Sequence, residues 1–510
     1  MQNNTYSSSN KRIAKNTLFL YFRQILIMIV NLYLARLVLN ILGVIDFGIH
    51  NVVAGMVLMF SFLSSSMASA SQRFFSFNIG QRKTYSLNKI FNIALLIYLL
   101  ISIIVLVLLE TIGSWFLHNK LVIPPDRMNA AILVYQFSVL SFICIILQTP
   151  FLSLIISHED MSLYATVGIV EVFLRLGLIM LIHVISLDKL ILYSILLASV
   201  TFITTFIYII FCRFRYDECR IKFLWDRDLF LSMVSFSSWS LLGNLSVVLK
   251  TQGINILLNI YFGPVANAAS GIANRVNSAV TSFSQNFGTA VRPQIIKLYA
   301  ANEWNELILL TFRSSKYTSI LIIIFFLPLV LEMPIVIKLW LGQAPEHVVA
   351  FTRLILLDSL LKALTDPFKT VIQATGKIKN YQMIVGGISL MNIPLSMAII
   401  RIGGGPSSVY FIGILLIIIT SFFRIKIVQR QVSFDVLDLI NKVFRPLALI
   451  IMISLGFSLI SIKIFSPSLL RLTITTLIST FSMILSVYAL GLSKDEKRYF
   501  KNIIRSLKKN

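Results

Sequence analysis

The sequence is poor in charge, and poorer still in acidic residues. Charged side chains make up 13% of its 510 residues, with 45 lysines and arginines against 21 aspartates and glutamates. Soluble domains carry about twice that charged fraction, so the composition excludes a soluble globular class. Basic residues of membrane proteins gather in cytoplasmic loops. The net charge of +24 is therefore explained without nucleic acid, which we do not expect as a partner.

Cysteines are few, and the familiar motifs of enzymes are missing. Cys144, Cys212 and Cys219 form neither a CxxC pair nor a metal-ligand spacing, so we expect reduced cysteines and no metal site. The sequence contains no GxxxxGK[ST], HExxH, GxSxG or dinucleotide-binding motif. The run Gly403–Pro406 is typical of a turn rather than of a phosphate cradle. The sequence therefore predicts a protein that is not an enzyme and needs no cofactor.

Long apolar runs fill the chain. They are about 20 residues each, long enough to cross a bilayer as helices, and the mean hydropathy is +0.85. The sequence predicts an all-α polytopic membrane protein with about fourteen transmembrane helices, or twelve if a late pair is misassigned. The predicted spans are 17–39, 44–70, 90–112, 128–147, 161–182, 190–212, 229–261, 264–291, 316–331, 348–372, 381–400, 407–423, 446–464 and 468–490.

The basic residues favour a cytoplasmic N-terminus. With that orientation the predicted inside segments hold 31 lysines and arginines, the outside loops hold seven, and seven more lie within spans. Cytoplasmic loops of membrane proteins carry such an excess. An even number of spans then places both termini in the cytoplasm.

The predicted spans fall into two groups around a basic linker. The predicted divisions are a cytoplasmic N-terminal tail (1–16), an N-terminal helical bundle (17–212), a basic cytoplasmic linker (213–228), a C-terminal helical bundle (229–423), a basic cytoplasmic loop (424–445), the last two membrane helices (446–490) and a basic cytoplasmic tail (491–510). The sequence LNILG at Leu39–Gly43 resembles LNIYFG at Leu258–Gly263, with one insertion. This similarity predicts that spans 1–2 and 7–8 are copies of one repeat.

The stretch Leu257–Ala300 is long enough to span a membrane, yet it is rich in Asn, Ser, Thr and Gln. Polar groups in hydrocarbon go unsatisfied, so such a helix must face protein or a water-filled cavity. Arg275 lies near its middle, with Asn274 and Gln285 on the same segment, and Lys250 lies deep in the preceding span. We predict that these side chains bind an anionic substrate, the alternative being structural hydrogen bonds between helices.

Two further basic residues, Arg23 and Arg36, lie within span 1, about one and a half turns from its ends. Their side chains either reach the membrane interface or contribute to the same substrate site. Basic residues outnumber acidic ones inside the spans, and an interior of that sign favours an anion such as phosphate and repels cations.

The acidic residues within spans lie four positions from a basic residue. Glu171 and Arg175 share a helix face in span 5, and Asp358, Lys362 and Asp366 share one in span 10. This spacing makes both groups candidates for ion pairs or for a coupling-ion site. For the second group the alternative is that Lys362 and Asp366 lie near the cytoplasmic surface.

Five segments carry a resemblance to a known family. They are FGPVANAASGIANRVNSAVTSFSQNFGTAVRPQI (Phe262–Ile295), IDFGIHNVV (Ile45–Val53), SMASASQRFFSF (Ser66–Phe77), KLWLG (Lys338–Gly342) and QATGKIK (Gln373–Lys379). On these segments the chain resembles the Wzx-type oligosaccharide flippases, most closely the variety of Bacteroides-like organisms. They belong to the multidrug/oligosaccharidyl-lipid/polysaccharide exporter superfamily. The segments span about the first three quarters of the chain.

The resemblance implies two helical bundles around a central V-shaped cavity. It implies a multi-pass protein of the bacterial cytoplasmic (inner) membrane that moves undecaprenyl-diphosphate-linked oligosaccharide by alternating access, for O-antigen or capsule assembly, beside polysaccharide polymerase and assembly proteins. By the same resemblance, cationic cavity residues would hold the diphosphate and sugar, here Arg275, Lys250, Arg23 and Arg36. The extruder relatives often carry an acidic residue within the first span. This sequence has none there, and Asp46 lies just past it.

Three other functions remain open on the sequence alone. A multidrug and toxin extrusion-type, cation-coupled exporter would share the fold, although the basic interior argues against a cationic drug. A membrane enzyme such as a polysaccharide polymerase would need a large external loop, which the predicted topology lacks. A scaffold for an assembly complex would not need polar membrane helices.

Overall fold

The computed structural model describes residues 2–58, 60–81, 84–119, 123–183, 187–222, 224–341, 346–492 and 496–497. Side chains are described within these ranges except at 2–15, 32, 35, 36, 39, 40, 44, 45, 48, 51, 58, 84–86 and 264. Within this part of the chain the structure is helical and contains no strand.

Sixteen α-helices are present among the described residues. They are α1 (Gln2–Leu58), α2 (Ser61–Gly80), α3 (Thr84–Leu108), α4 (Ser114–Asn119), α5 (Met128–Ser157), α6 (Met161–Met180), α7 (Lys189–Arg215), α8 (Arg227–Ala300), α9 (Trp304–Leu341), α10 (Val348–Thr375), α11 (Lys379–Leu390), α12 (Asn392–Arg401), α13 (Ser408–Gln431), α14 (Val436–Leu439), α15 (Arg445–Ile464) and α16 (Leu469–Ser486). Short 3₁₀ and π turns connect or extend several of them.

Ten helical segments of the described chain are long and apolar enough to cross a membrane. They are Leu87–Asn119, Pro125–Ser157, Met161–Met180, Lys189–Arg215, Arg227–Gly263, Trp304–Leu341, Lys379–Arg401, Ser408–Gln431, Val436–Ile464 and Leu469–Gly491. These ten confirm a polytopic helical membrane protein. The other four predicted spans, 17–39, 44–70, 264–291 and 348–372, also lie on helices but are not among the ten, so the count of fourteen stays a prediction.

Two glycines interrupt the longest helices in the same way. Gly43 in α1 has φ 76° and ψ 173°, and Gly263 in α8 has φ 77° and ψ −175°. This left-handed, extended combination is open essentially to glycine alone. A Cβ at either position would have nothing within 4 Å, so the conformation rather than crowding requires glycine. Each glycine therefore divides one continuous helix into two segments, at the positions that the sequence repeat matched.

The chain forms two compact units. Unit 1 comprises Met1–Leu245, Thr289–Asn302 and Gly376–Lys379, and unit 2 comprises Ser246–Gly288, Glu303–Thr375 and Asn380–Asn510. Helix α8 contributes to both units, since its middle belongs to unit 2 and its two ends to unit 1.

In unit 1, α1, α6 and α7 share an apolar core. Leu34, Val38 and Ile41 of α1 pack with Ile179 of α6 and Leu192 of α7. Burial of such side chains contributes roughly 1.5–3 kcal/mol each in water, whereas between membrane helices close packing is the main attraction.

An ion cluster joins helix ends at one side of this core. Arg127 pairs with Asp46 of α1, and its Nη1 donates to Asp188 Oδ2 at 2.7 Å. Asp188 also caps α7, because its carboxylate accepts from the amides of Leu190 and Ile191. Arg127 therefore fixes the start of α7 relative to the segment that follows Gly43.

In unit 2 the last long helices are attached to α9 through a buried carboxylate. Glu332 of α9 is fully buried, and Arg471 of α16 donates to it at 2.9 and 3.2 Å. Thr475 donates to the other oxygen at 3.0 Å and lies 2.8 Å from Ser461 of α15. A buried carboxylate is tolerated only when it is paired and hydrogen-bonded, as Glu332 is.

Candidate functional site

The candidate site is a polar cavity of about 210 Å³ inside unit 2. Its volume is far above the roughly 10–15 Å³ that one water molecule needs. Helices α8, α10 and α13 surround it. The lining residues are Lys250, Thr251, Ile254, Asn255, Ser270, Asn274, Asn277, Ile355, Asp358, Ser359, Lys362, Val409, Tyr410 and Gly413.

Three charged side chains meet in this cavity. Lys362 forms an ion pair with Asp358 Oδ2, one helical turn away on α10. Lys250 Nζ of α8 lies 3.9 Å from Asp358 Oδ1, which is too long for a hydrogen bond, and Oδ1 has no hydrogen-bond partner among the described residues. Lys250 and Asp358 are both largely buried, with 17% and 16% of their side chains exposed. The two lysines thus share one carboxylate, which leaves one positive charge in excess.

Hydroxyl and amide groups form the rest of the polar lining. Tyr410 of α13 donates to Ser270 Oγ at 2.8 Å, and Ser270 donates to Asn255 Oδ1 at 3.1 Å. Ser359 of α10 donates to Asn277 Oδ1 at 2.7 Å. Because the amide oxygen of Asn277 accepts this hydrogen bond, its amide nitrogen can donate hydrogen bonds to a ligand. These bonds connect three helices and hold the polar groups in fixed positions.

Gly413 faces the charged groups of the cavity. A Cβ built there would lie 3.6 Å from Lys250 Nζ and 3.9 Å from Asp358 Oδ1. The helix is regular at this point and these are ordinary van der Waals distances, so an alanine would fit and would contact both charged groups. A larger side chain would fill the volume beside the ion group.

The structure brings some of the residues named from the sequence into this cavity and leaves others outside it. Lys250, Asn274, Asp358 and Lys362 line it together. Arg275 does not line it and is exposed, because successive helical residues point about 100° apart.

Two other residues named from these helices also lie outside the lining. Gln285 is exposed. Asp366 instead pairs with Arg424 of α13 at 3.3 Å, and Arg424 also donates to Thr365 at 2.8 Å.

The remaining residues named from the sequence lie in unit 1. Glu171 and Arg175 form the expected ion pair, with Nη2 and Oε1 2.6 Å apart. The guanidinium of Arg23 stacks over the ring of Tyr164 at 4.2 Å and occupies the space beside Gly168 of α6. Arg36 lies outside the residues whose side chains the structure describes.

Unit 1 contains a second cavity, of about 200 Å³, at a position related to the first by the repeat. His50, Ala54 and Val57 line it, each 220 positions before Ser270, Asn274 and Asn277. Ser138, Ser141, Phe142 and Ile145 line it too, each 217 positions before Ile355, Asp358, Ser359 and Lys362. Ser194 and Leu197 precede Tyr410 and Gly413 by 216. The same helix faces therefore enclose a cavity in each copy.

Sequence reasoning missed several of these polar groups. Tyr410 and Ser359 lie in predicted spans, and no sequence pattern connects them with Lys250. Glu332 interrupts the apolar run LVLEMPIVI, a signal that was available, but its partner Arg471 lies 139 positions away.

No protein-family model matches the chain, and no curated protein matches it. Solved structures do match. One is an outward-facing multidrug resistance MATE family transporter of the MOP superfamily, with a TM-score of 0.73 and 13% identity over 83% of this chain and 96% of that chain. Another is a MOP superfamily transporter from Pyrococcus furiosus, with a TM-score of 0.69 and 12% identity over 82% and 96%.

A mutant of the Vibrio cholerae MATE transporter VcmN also matches, with a TM-score of 0.66 and 16% identity over 83% of this chain and 97% of that chain. Almost the whole of each transporter is therefore covered by the chain. The chain has the fold of these membrane transporters. At such identities the likeness concerns the fold, and the cargo has to be argued from the residues.

Proposed function

We propose that the protein is a flippase that moves undecaprenyl-diphosphate-linked oligosaccharide units across the bacterial cytoplasmic membrane by alternating access, for the assembly of O-antigen, capsule or another surface polysaccharide. The observation that carries this proposal is the unit 2 cavity, in which Lys250 and Lys362 share the single carboxylate of Asp358. An excess positive charge among membrane helices marks a site that takes an anion. A diphosphate is an anion that such a lipid-linked sugar carries.

The other polar groups of the cavity suit phosphate oxygens. Lysine ammonium groups donate up to three hydrogen bonds each, and the amide of Asn277 adds further donors. A diphosphate accepts all of these, and charge-assisted bonds of this kind are the stronger ones. The lining residues lie on predicted membrane spans, so the polar head group would occupy the cavity while the lipid tail stays in the bilayer.

The alternative is a multidrug and toxin extrusion-type exporter coupled to a cation. The fold does not separate the two, since the Pyrococcus furiosus transporter of the same superfamily is itself described as having a binding pocket of reverse polarity that suggests a different function. Among the described residues that line the cavity, Asp358 is the one carboxylate, and a carboxylate favours a cation, either as cargo or as coupling ion. Two lysines within the same cavity oppose it.

Reconstituted vesicles test the proposal directly. The purified protein is placed in liposomes with a fluorescent undecaprenyl-diphosphate-linked sugar, and an impermeant quencher reports how fast the head group changes leaflet. We expect Lys250→Met and Lys362→Met to slow transfer by about tenfold each, the equivalent of about 1.4 kcal/mol. The matched control is Lys442→Met, whose side chain is 60% exposed and pairs with Asp438 outside the cavity.

Two results would reject the proposal. The first is that neither the wild type nor the control variant moves the head group faster than protein-free liposomes do. The other is wild-type transfer by the variant that lacks both cavity lysines. Arg275→Ala measures whether the exposed arginine makes a second contact with the head group. The exporter alternative predicts instead that the wild-type protein lowers the accumulation of a cationic dye in cells.

A further inference from the structure

The unit 1 cavity differs in chemistry from its counterpart in unit 2. Where unit 2 has Asp358 and Lys362, the matched positions of unit 1 hold Ser141 and Ile145. Of the described side chains around this cavity, Arg175 is the one permanent cation, and Glu171 pairs with it at 2.6 Å. Both copies therefore contain a cavity, but the described lining of the unit 1 cavity lacks the excess positive charge found in unit 2.

Hydroxyl groups dominate the polar lining of this cavity. Ser138 and Ser141 each donate at 2.7 Å to the carbonyl four residues earlier. Ser194 and Thr201 do the same at 3.0 and 3.1 Å. A hydroxyl whose proton is used in this way still offers its oxygen lone pairs. The cavity thus presents a group of acceptors, which suits a ligand rich in hydroxyl donors.

Arginine and aromatic groups complete the lining. The side chain of Arg175 is 37% exposed, and its guanidinium has N–H donors besides the Nη2 that pairs with Glu171, so a donor is available beside the acceptors. Phe137 and Phe142 line the cavity, and His50 packs edge-to-face on Tyr193 with ring centroids 4.8 Å apart. The faces of aromatic rings carry partial negative charge and attract polarised C–H groups, which cover the apolar face of a sugar ring.

We infer that the unit 1 cavity binds an uncharged sugar residue, through hydroxyl acceptors, the spare donor of Arg175 and aromatic faces. A diphosphate is disfavoured there for two reasons. Glu171 neutralises the charge of Arg175, and the serine oxygens, which act as acceptors, do not bind anions. The inference that the ligand is an uncharged sugar depends on this lining alone. The assignment of the sugar to a transported glycan rests on the proposed function.

Protection of introduced cysteines from an impermeant maleimide tests the inference in the full-length protein. The background is Cys144→Ser, because Cys144 is half-buried next to Ile145, while Cys212 and Cys219 are buried. Ser141→Cys reports on unit 1 and Thr251→Cys on unit 2. The probes are N-acetylglucosamine, methyl glucoside and inorganic pyrophosphate. A sugar at twice its dissociation constant should slow alkylation of Ser141→Cys about threefold and leave Thr251→Cys unchanged.

The outcomes separate this inference from the proposed function. Sugar that leaves Ser141→Cys unprotected, or pyrophosphate that protects it, overturns the inference. Protection of Thr251→Cys by pyrophosphate would still support the flippase, whichever way the sugar result falls. Sugar that protects both cysteines equally also overturns the inference, because it shows no preference for the hydroxyl-lined cavity.

A second variant separates binding from a structural effect. Ser138→Ala together with Thr201→Val removes two acceptors from the Ser141→Cys reporter. We expect the sugar to protect this variant less, with unchanged alkylation in the absence of sugar and an unchanged gel-filtration profile. Undiminished protection would show that these hydroxyls do not bind the sugar, against the inference.

Discussion

Gly43 and Gly263 lie 220 positions apart and share one backbone conformation, with φ of 76° and 77° and ψ of 173° and −175°. The same interval relates the α1 and α8 residues that line the two cavities. A helix break of fixed geometry thus precedes each cavity by a fixed number of residues. The repeat has preserved the backbone that builds the cavity and varied the side chains that decide its ligand.

Substitution of glycine at the helix break should destabilise the protein through the backbone alone. Gly263→Ala places a side chain in a conformation that costs on the order of 1–3 kcal/mol, while its Cβ meets no atom within 4 Å. We expect a lower thermal unfolding midpoint in detergent. Gly271→Ala is the control, since this helical glycine also has free space and alanine favours helix there by about 0.4–1 kcal/mol. Equal midpoints for the two variants would contradict the argument.

A buried ion pair gives the second prediction. Arg471→Met leaves the carboxylate of Glu332 buried without its cation, and the loss of one partner costs about 3–5 kcal/mol. We expect a large drop in the unfolding midpoint, and partial recovery when Glu332→Gln is added. In the exposed pair of Lys442 and Asp438, with 60% and 52% exposure, Lys442→Met should change stability by about 0–1 kcal/mol. Strictly additive effects in the double variant would show that Glu332 and Arg471 do not act as a pair.

The sequence predicted helices and local pairs better than it predicted the site. The polar repeat with its glycine was predicted by comparing two short segments of the sequence. The pair of Glu171 and Arg175 was predicted from their spacing of four residues on one helix. The face that a helix turns towards the cavity could not be predicted from such local patterns. Asn274 and Asn277 line the cavity while Arg275 does not, and a rotation of about 100° per residue separates these outcomes. Composition identified the polar helix but not the face that packs against α10.

Long-range partners were beyond sequence reasoning for a related reason. Lys250 and Asp358 meet only because α8 and α10 pack together, and neither residue has a local pattern that names the other. Asp366 shares a helix face with Asp358 and Lys362, yet it pairs with Arg424, which lies on a neighbouring helix. The spacing along a helix indicates which ion pairs its side chains could form, and tertiary packing determines which of these pairs do form.

The third prediction concerns pH. Burial alone would raise the pKa of Asp188, but hydrogen bonds from Arg127 and from the amides of Ile191 and Leu190 bring it below its ordinary value of 3.8. A carboxylate whose pKa is lowered by folding stabilises the folded protein at pH values above its ordinary pKa. This stabilisation is lost as the pH falls through the pKa that the carboxylate has in the folded protein. Asp188→Asn should therefore unfold at a lower temperature than wild type at pH 7.

The difference between Asp188→Asn and wild type should shrink as the pH falls below about 4. Asp217→Asn is the control, because its ion pair with Arg220 is 90% exposed on the aspartate side and such pairs contribute little. The measurement is a thermal melt in detergent from pH 7 to pH 3. A gap that stays constant over this range would show that the carboxylate charge of Asp188 is not what stabilises the start of α7.

The fourth prediction asks which sign of charge the unit 2 cavity accepts. Asp358→Asn keeps the size of the side chain but removes the carboxylate that Lys250 and Lys362 share. If the cavity takes an anion, this variant should bind inorganic pyrophosphate more tightly, on the order of tenfold or about 1.4 kcal/mol, while Lys250→Met binds it more weakly. Titration calorimetry on the purified protein measures both constants. Weaker pyrophosphate binding by Asp358→Asn, or tighter binding by Lys250→Met, would show that these charges do not make the cavity an anion site.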